Sequence, residues 1–258
     1  MRERTGGSSK LDWYQEGGIY GPDYLALFAD EVAAGTGEAE RAVRLLGLSA
    51  GQLVLDVACG YGRHTVPLAR QGLRVVGLDL NGYFLSLAQE RATAEHQSAQ
   101  FVRGDMRRLP FREVFDAAVC MGGSMGQFQT EEEDLALLQQ TAEALKPGGK
   151  FLLDVANRDG MLSHFIGKDW DEREDGTVVL HERRWDALSG RMERKDTVIG
   201  PDGRKREYEG SMRLYGAPEI TSLVTRAGFD LIALYGGLAG SALGWDSPRV
   251  NVVARRVS

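Results

Sequence analysis

The sequence predicts an α/β fold in which helices cover a mostly parallel β-sheet and a smaller antiparallel β-sheet is inserted late in the chain. Between residues 53 and 155, short apolar runs alternate with helical patterns, which is typical of consecutive β-α-β units. Between residues 177 and 215 the helical patterns disappear, and three extended segments are joined by turns that contain glycine.

The individual elements follow from the same periodicities. The strands predicted for the first part of the sheet are 53–58, 73–78, 100–103, 115–121 and 150–155. The helices predicted around them are 22–34, 38–46, 62–71, 83–97 and 131–145. The strands predicted for the insertion are 177–186, 191–199 and 205–215. A helix at 217–227 and two strands at 229–235 and 249–255 are expected to complete the core.

These elements divide the chain into four parts. Residues 1–36 are expected to form a leader and a segment that folds over the site, and residues 37–160 the main α/β core. The inserted antiparallel lobe is expected at 161–216, and residues 217–258 return to the core sheet.

Composition excludes several classes of protein. The 258 residues carry a net charge of -6, which disfavours nucleic-acid binding, and apolar stretches of about 18 residues that would predict a membrane span are absent from the sequence. Residues 1–10 lack the apolar centre of a signal peptide, so we expect a cytoplasmic protein. Cys59 and Cys120 lie in apolar runs and are expected to be buried thiols, while the four histidines show no metal-ligand spacing.

The turn after the first predicted strand has the pattern of a cofactor site. The strand runs directly into Gly60 and Gly62, which permit a tight turn and close approach of the backbone to a ligand. Thr65 stands where dinucleotide-binding folds prefer Gly or Ala beside a pyrophosphate. Asp56 within the strand would repel a pyrophosphate but attract an ammonium. The pattern favours S-adenosylmethionine, which carries an ammonium and a sulfonium but no phosphate.

Two further carboxylates follow the next two predicted strands. Asp79 lies about 20 residues after the glycine turn, where an acidic side chain can accept hydrogen bonds from both ribose hydroxyls; capping of the next helix is the alternative role. Asp105 is expected to reach the adenine amino group and Met106 to pack on its face, although Asp105 also fits a simple turn after Gly104.

This ordered set of segments resembles the successive motifs of class I S-adenosylmethionine-dependent methyltransferases. The matching segments are 54–62, 77–79, 104–106, 115–121 and 145–153. The resemblance covers roughly residues 40–160, and the late insertion and final strand pair resemble the group that includes small-molecule N- and O-methyltransferases. It implies a Rossmann-like seven-stranded sheet in the order 3-2-1-4-5-7-6, with strand seven antiparallel.

The resemblance also implies positions around the cofactor. Ala58 and Gly60 would offer backbone contacts to the methionine part, and Met121 would lie beside the reacting sulfur. Apart from the resemblance, Arg63 at the start of the helix after the glycine turn is expected to meet the cofactor carboxylate. The complete set of expected cofactor-binding residues is Asp56, Ala58, Gly60, Gly62, Arg63, Asp79, Leu80, Asp105, Met106 and Met121.

The expected acceptor side begins after the fourth strand. Related sugar-amine methyltransferases resemble this segment with a Ser-x-Gly-His pattern, but here the last position is Gln127, which can orient an acceptor and cannot act as a base. Tyr14 and Tyr20 are expected to face the sulfonium, with ordinary packing as the alternative. The acceptor contacts expected from the insertion are Arg213, Tyr215 and Trp185, and a structural ion pair is equally compatible with Arg213.

These residues predict in-line transfer of a methyl group to a nitrogen or oxygen of a small molecule, by a monomer or a homodimer. A macromolecular acceptor is less favoured because the sequence has no basic stripe. The pattern is also compatible with a protein that binds the cofactor without transferring the methyl group and, least of all, with an NAD-dependent enzyme.

Overall fold

The computed structural model describes residues 19–21, 23–24 and 29–257. Its helices are α1 (Ala29–Leu46), α2 (Thr65–Arg70), α3 (Gly82–Ala94), α4 (Glu131–Ala144), α5 (Arg158–Ser163) and α6 (Ala217–Arg226). Its strands are β1 (Leu53–Val57), β2 (Arg74–Asp79), β3 (Ala99–Arg103), β4 (Phe115–Cys120), β5 (Leu145–Ala156), β6 (Lys168–Glu172), β7 (Val178–Asp186), β8 (Arg191–Ile199), β9 (Lys205–Arg213), β10 (Phe229–Tyr235) and β11 (Arg249–Arg256).

Seven strands form the main sheet in the order β10-β11-β5-β4-β1-β2-β3. Strand β1 pairs in parallel with both β2 and β4, whereas β11 is antiparallel to β5 and β10. With β10 counted as the sixth core strand and β11 as the seventh, this is the predicted order, and the predicted fold class is confirmed. The strand order reverses at β1, and ligands bind in such sheets at the carboxyl ends beside this point.

Helices cover both faces of the central strands, which explains their continuous apolar sequence. Leu55 and Val57 belong to the larger buried cluster, on the side of α4 and α6. Val54 belongs to the other buried cluster, on the side of α1 and α2. Because β1 is held from both sides, the turn at its carboxyl end has a fixed position. Both cysteines are buried free thiols, as expected.

Helix α1 corrects one prediction. The sequence, with Gly35 and Gly37 close together, predicts two helices, but the structure has one continuous helix across both glycines. A Cβ atom at Gly35 would lie only 2.5 Å from the backbone oxygen of Arg63. Gly35 therefore allows close packing of α1 against the turn after β1, and it does not break the helix. The predicted helix over 22–34 lies partly outside the described residues.

The inserted lobe is a second sheet in the order β6-β7-β8-β9. The three predicted extended segments are present as β7, β8 and β9, all antiparallel. The sequence does not predict edge strand β6 or the short helix α5. All five residues of β6 are exposed, so the strand lacks the apolar alternation by which a half-buried strand is recognised.

The second sheet borders the loop that follows β4. The backbone N–H of Arg213 donates to the Gly126 oxygen at 2.7 Å, and the Arg191 guanidinium donates to the Phe128 oxygen at 2.9 Å. Within the part of the chain that the structure describes, no helix combines the length and apolar character that crossing a membrane requires.

Candidate active site

A cleft opens where β1, β2, β3 and β4 end, at the edge of the main sheet where its strand order reverses. Most of the expected cofactor-binding residues line it, together with the two described residues expected to orient the acceptor. These lining residues are Ala58, Gly60, Arg63, Asp79, Leu80, Asp105, Met106, Met121, Tyr20 and Gln127. Asp56 and Gly62 lie behind the cleft wall, and Tyr14 lies outside the described residues.

The turn after β1 exposes its backbone to the cleft. Ala58 and Gly60 both have left-handed backbone angles, with φ of 57° and 55°. This conformation costs an alanine about 1 kcal/mol or more, and such strain is concentrated at ligand sites. A Cβ at Gly60 would meet open space, whereas one at Gly62 would lie 3.0 Å from the Cβ of Ala88. The missing side chain of Gly60 thus leaves room for a ligand beside the backbone. The missing side chain of Gly62 lets α3 pack closely against the turn.

Asp79 is fixed by two backbone donors at the end of β2. Its carboxylate accepts from the N–H groups of Gly60 and Asn81, each at 2.8 Å, and burial raises the pKa of this carboxyl. The N-cap of α3 is Asn81, whose side chain accepts from the Phe84 N–H at 3.1 Å. Since Asp79 already occupies the Gly60 N–H, this amide cannot bind a pyrophosphate, and the carboxylate would repel one. The turn therefore suits an adenosyl group without phosphates.

Asp105 lines the cleft at the end of β3 and is paired with Arg107. The Arg107 guanidinium donates to both carboxylate oxygens, with Nη2 at 2.6 Å from Oδ2. Burial alone raises the pKa of Asp105, but the hydrogen bonds from Arg107 outweigh it and lower the pKa overall. Asp105 also accepts from the Arg107 backbone N–H at 2.8 Å, so it fills the alternative turn role as well. Arg107 in turn lies over the Phe128 ring, 4.4 Å from its centre.

Asp56 has a different environment from the one expected. The residue is only 1% exposed, and its carboxylate accepts from the Thr65 hydroxyl at 2.6 Å. Burial raises the pKa of Asp56, and the side chain does not line the cleft. Its observed contact fixes the start of α2 to the end of β1. Asp56 is therefore held away from the cleft surface, and its contact with the cofactor ammonium stays a prediction.

Glu38 on α1 holds two residues of the cleft wall, and the sequence does not predict this role. One of its oxygens lies 3.2 Å from Nη2 of Arg63 and 2.7 Å from Nε2 of His64. Burial raises the pKa of Glu38, but His64 and Arg63 together lower it overall. Because Arg63 lines the cleft, this contact fixes the side chain of a cleft residue. Glu38 lies 25 residues before Arg63, and only the packing of α1 on the turn brings them together.

An aromatic wall closes one side of the cleft. Ring centres of Tyr24 and Phe84 are 5.3 Å apart, those of Tyr61 and Phe84 are 5.9 Å apart, and Tyr20 meets Phe84 edge-on at 6.2 Å. The sequence singles out only Tyr20 among these four, because the others come from three separate segments with no shared motif. Such rings supply apolar area and negative faces next to a bound cation.

Gln127 and Tyr20 meet across the cleft. The Gln127 amide nitrogen donates to the Tyr20 hydroxyl at 2.9 Å, and Asn81 donates to the Tyr20 backbone oxygen at 2.7 Å. Tyr20 is therefore attached both to the loop after β4 and to the start of α3. These contacts place Tyr20 over the turn after β1.

The three residues expected to contact the acceptor do not line this cleft. Tyr215 is buried and donates to Asp134 at 2.6 Å, while Asp134 also accepts from the Gly126 N–H at 2.9 Å. Tyr215 thus stabilises the loop after β4 through Asp134. Arg213 and Trp185 lie on β9 and β7 of the second sheet. Among the described residues, no group of three or more His, Cys, Asp or Glu side chains is placed to hold a metal ion.

The chain is similar in sequence to known methyltransferases. A family model described as a methyltransferase domain matches residues 54–149. A dTDP-3-amino-3,4,6-trideoxy-alpha-D-glucopyranose N,N-dimethyltransferase from Streptomyces venezuelae is 31% identical over 195 residues, which cover 74% of this chain and 80% of the relative.

Solved structures share the fold over nearly the whole chain. The CcbJ methyltransferase from Streptomyces caelestis has a TM-score of 0.77 at 22% identity, covering 87% of this chain and 90% of its own. The structure of SAM-bound CalS10, an amino pentose methyltransferase from Micromonospora echinaspora, has a TM-score of 0.68 at 24% identity and covers 92% and 98%. The matched domain spans the turn after β1 and the strands whose ends form the cleft. The chain therefore belongs to the class I S-adenosylmethionine-dependent methyltransferases, with S-adenosylmethionine as its cofactor.

Proposed function

We propose that this enzyme transfers the methyl group of S-adenosylmethionine to the amine nitrogen of a small polar molecule of the amino-sugar type. The names of its relatives support an amine acceptor, because the Streptomyces venezuelae relative is an N,N-dimethyltransferase of an aminated dTDP-sugar. The side chains around Gln127 support the same choice independently of any name.

In this proposal different residues of the cleft bind different parts of the cofactor. Asp79 accepts from the ribose hydroxyls, Asp105 and Met106 hold the adenine, and Arg63 meets the carboxylate. This division is supported by the position of all four on the cleft wall. The Gly60 carbonyl is the group of that residue available to the methionine part, since its N–H donates to Asp79.

When bound, S-adenosylmethionine supplies a methyl group that its sulfonium charge has already activated. The work left to the protein is to align the acceptor and keep water out. Tyr20 and Tyr24 cover the cleft with apolar rings, which serves the second purpose. Gln127 and Tyr20 offer hydrogen-bonding groups that serve the first.

The observation that carries the amine assignment is the absence of a base among the described cleft residues that follow β4. These residues are Met121, Gly122, Ser124, Gln127 and Phe128. His64 also borders the cleft, but it belongs to the turn after β1, where its Nε2 lies against Glu38, and not to the residues that follow β4. A hydroxyl acceptor needs a base to become a strong nucleophile, whereas an amine that has lost its proton to the solvent attacks through its own lone pair. The new N–C bond forms as the S–CH3 bond breaks, which leaves an N-methylammonium and S-adenosylhomocysteine. The Gln127 amide oxygen can accept one N–H of such an amine and fix its direction.

A paired acceptor assay tests this proposal. Amino sugars and the matching sugars with a hydroxyl at the same carbon are incubated with labelled S-adenosylmethionine, and methylated products are counted by mass spectrometry. We expect product only from the amines. Gln127→Ala should lower kcat/KM by about tenfold through loss of an orienting hydrogen bond, with unchanged binding of S-adenosylhomocysteine.

Gln129→Ala is the matched control, since this neighbouring glutamine does not line the cleft. It should leave kcat/KM unchanged. Methylation of the hydroxyl sugars alone, or of no amine in the panel, would contradict the proposal. The second of these results would favour a protein that binds the cofactor without transferring its methyl group.

A further inference from the structure

A short strap, residues 19–21 and 23–24, connects the cleft to the second sheet. On the cleft side, Tyr20 receives hydrogen bonds from Asn81 and Gln127, and both Tyr20 and Tyr24 line the cleft. A turn links these residues, because the Tyr24 N–H donates to the Gly21 oxygen at 3.0 Å. The Tyr20 and Tyr24 rings lie 5.2 Å apart, so the strap presents both rings to the cleft together.

On the opposite side, the strap is attached to β9. The Asp23 carboxylate accepts from the Tyr208 hydroxyl and lies 2.6 Å from Nε of Arg206. Arg206 and Tyr208 are two residues apart on one strand, so their side chains share a face of the sheet. Ile19 is buried against Val179 and Val198 on the same sheet. The strap is thus held by an apolar contact at its start and a charged contact three residues after Tyr20.

We infer that Asp23, Arg206 and Tyr208 are positioning residues for the transfer reaction: they hold the strap so that Tyr20 meets Gln127 over the cleft. None of the three lines the cleft, so any effect on the ligand passes through Tyr20 and Tyr24. The turn that Gly21 and Tyr24 close joins Tyr20 to Asp23, which makes the position of Tyr20 depend on that of Asp23.

The second sheet therefore contributes to the reaction without touching the reactants. Strand β9 is an edge strand of that sheet, and Arg206 is half exposed, so the contact to Asp23 is not needed to hold the sheet together. Its one clear consequence in the structure is to fix the strap. The effect on cofactor retention stands on the cleft geometry alone, and only the effect on acceptor alignment rests on the proposed function.

The test is the rate at which S-adenosylhomocysteine dissociates, measured by stopped-flow displacement with excess S-adenosylmethionine. We expect Tyr208→Phe and Arg206→Gln to release it about five- to tenfold faster, as for loss of one charge-assisted hydrogen bond at a partly exposed site. Arg206→Lys keeps the charge and should restore much of the slow release. Thermal unfolding should stay near that of the parent protein in all three.

Glu207→Gln is the matched control. Glu207 lies between Arg206 and Tyr208, on the opposite face of β9. Its carboxylate lies 3.0 Å from Nζ of Lys195, and the substitution removes this ion pair. Its dissociation rate should equal that of the parent protein. Unchanged release in Tyr208→Phe and Arg206→Gln, or equally fast release in Glu207→Gln, would overturn the inference. A wrong acceptor class would leave these rates as expected and show itself only in the amine assay.

Discussion

The Asp79 carboxylate is partly buried and borders the cleft. Both of its oxygens accept hydrogen bonds from backbone N–H groups. Those two donors favour the ionised form and partly offset the burial that raises the pKa of the carboxyl. A carboxylate held in place by two backbone donors at the edge of the cleft is suited to a ligand that offers two adjacent hydroxyls.

Replacement of Asp79 should therefore weaken cofactor binding. We expect Asp79→Ala to lose about 1–3 kcal/mol of binding free energy for S-adenosylhomocysteine, or about 5- to 150-fold in Kd, because charged hydrogen bonds go unmade. Calorimetric titration measures this. Asp230→Ala on β10 is the control, as its carboxylate lies outside the cleft beside Arg255. Unchanged affinity in Asp79→Ala would remove this residue from the ribose role.

Asp134 is expected to make the stability of the protein depend on pH. Burial raises its pKa to about 6 from an ordinary value of 3.8, although Tyr215 and Gly126 donate to it. The folded protein then binds this proton more tightly than the unfolded chain does. Asp134 contributes stability that is fully present below about pH 4 and is lost as the pH rises through about 6.

Asp134→Asn removes this titration. The free energy of unfolding of the parent protein should fall by as much as about 3 kcal/mol more than that of the variant between pH 4 and pH 7. Urea unfolding at a series of pH values measures the difference. Parallel pH profiles for the two proteins would show that the carboxyl titrates normally.

At the residue scale, sequence patterns locate the side chains that follow strand ends and miss those that depend on packing. Asp79 and Asp105 can be anticipated because each ends a strand at the same edge of the sheet. The partner of Asp56 cannot be predicted in this way, because a side chain on a strand buried on both faces can be directed either to Thr65 or to a ligand. The contact of Glu38 with Arg63 is equally hard to predict, because it depends on how α1 packs against the turn after β1.

At the scale of elements, the packing of α1 on the turn after β1 determines part of the cleft wall. The helix approaches so closely that the Gly35 position has no room for a side chain beside the Arg63 backbone. Gly37, one position beyond Thr36, is different: a Cβ there would be 3.4 Å from the end of the Arg41 side chain, which can move. One glycine is thus required by packing and the other is not.

Alanine at these two positions should have opposite effects. Gly35→Ala should destabilise the protein by about 1–3 kcal/mol, as for overpacking against a fixed backbone, and should weaken S-adenosylhomocysteine binding because Arg63 shifts. Gly37→Ala should stabilise by up to about 1 kcal/mol, since alanine favours a helix interior. Urea unfolding and calorimetry measure both. Equal effects of the two substitutions would contradict the close approach.

The same packing explains which elements the sequence predicts well. Strands β1, β2, β4 and β11 and the second half of β5 are buried on both faces, so each is predicted from a nearly continuous apolar run. The first residues of β5, which are mostly exposed, are not predicted. The sequence does not predict the continuous α1 because two closely spaced glycines disfavour a helix. The close approach to Arg63 that explains Gly35 is visible only in the structure. Edge strand β6 is missed because none of its residues is buried.

At the scale of the whole molecule, two sheets meet at the open edge of the cofactor cleft. The loop after β4 is supported by Tyr215 through Asp134 and is bonded to β9 through Gly126. The strap is bonded to the same strand through Asp23. Three extended segments joined by glycine-containing turns predict the inserted sheet, but its contacts with the strap depend on side chains such as Tyr208 that belong to no motif.

A crystal structure of the complex with S-adenosylhomocysteine would show directly whether the carboxylates at the strand ends hold the cofactor. We expect ribose hydroxyls on the Asp79 carboxylate, adenine between Asp105 and Met106, and the sulfur between Met121 and the Tyr20–Gln127 pair. Ligand density elsewhere, or these side chains turned away from a bound ligand, would contradict this expectation.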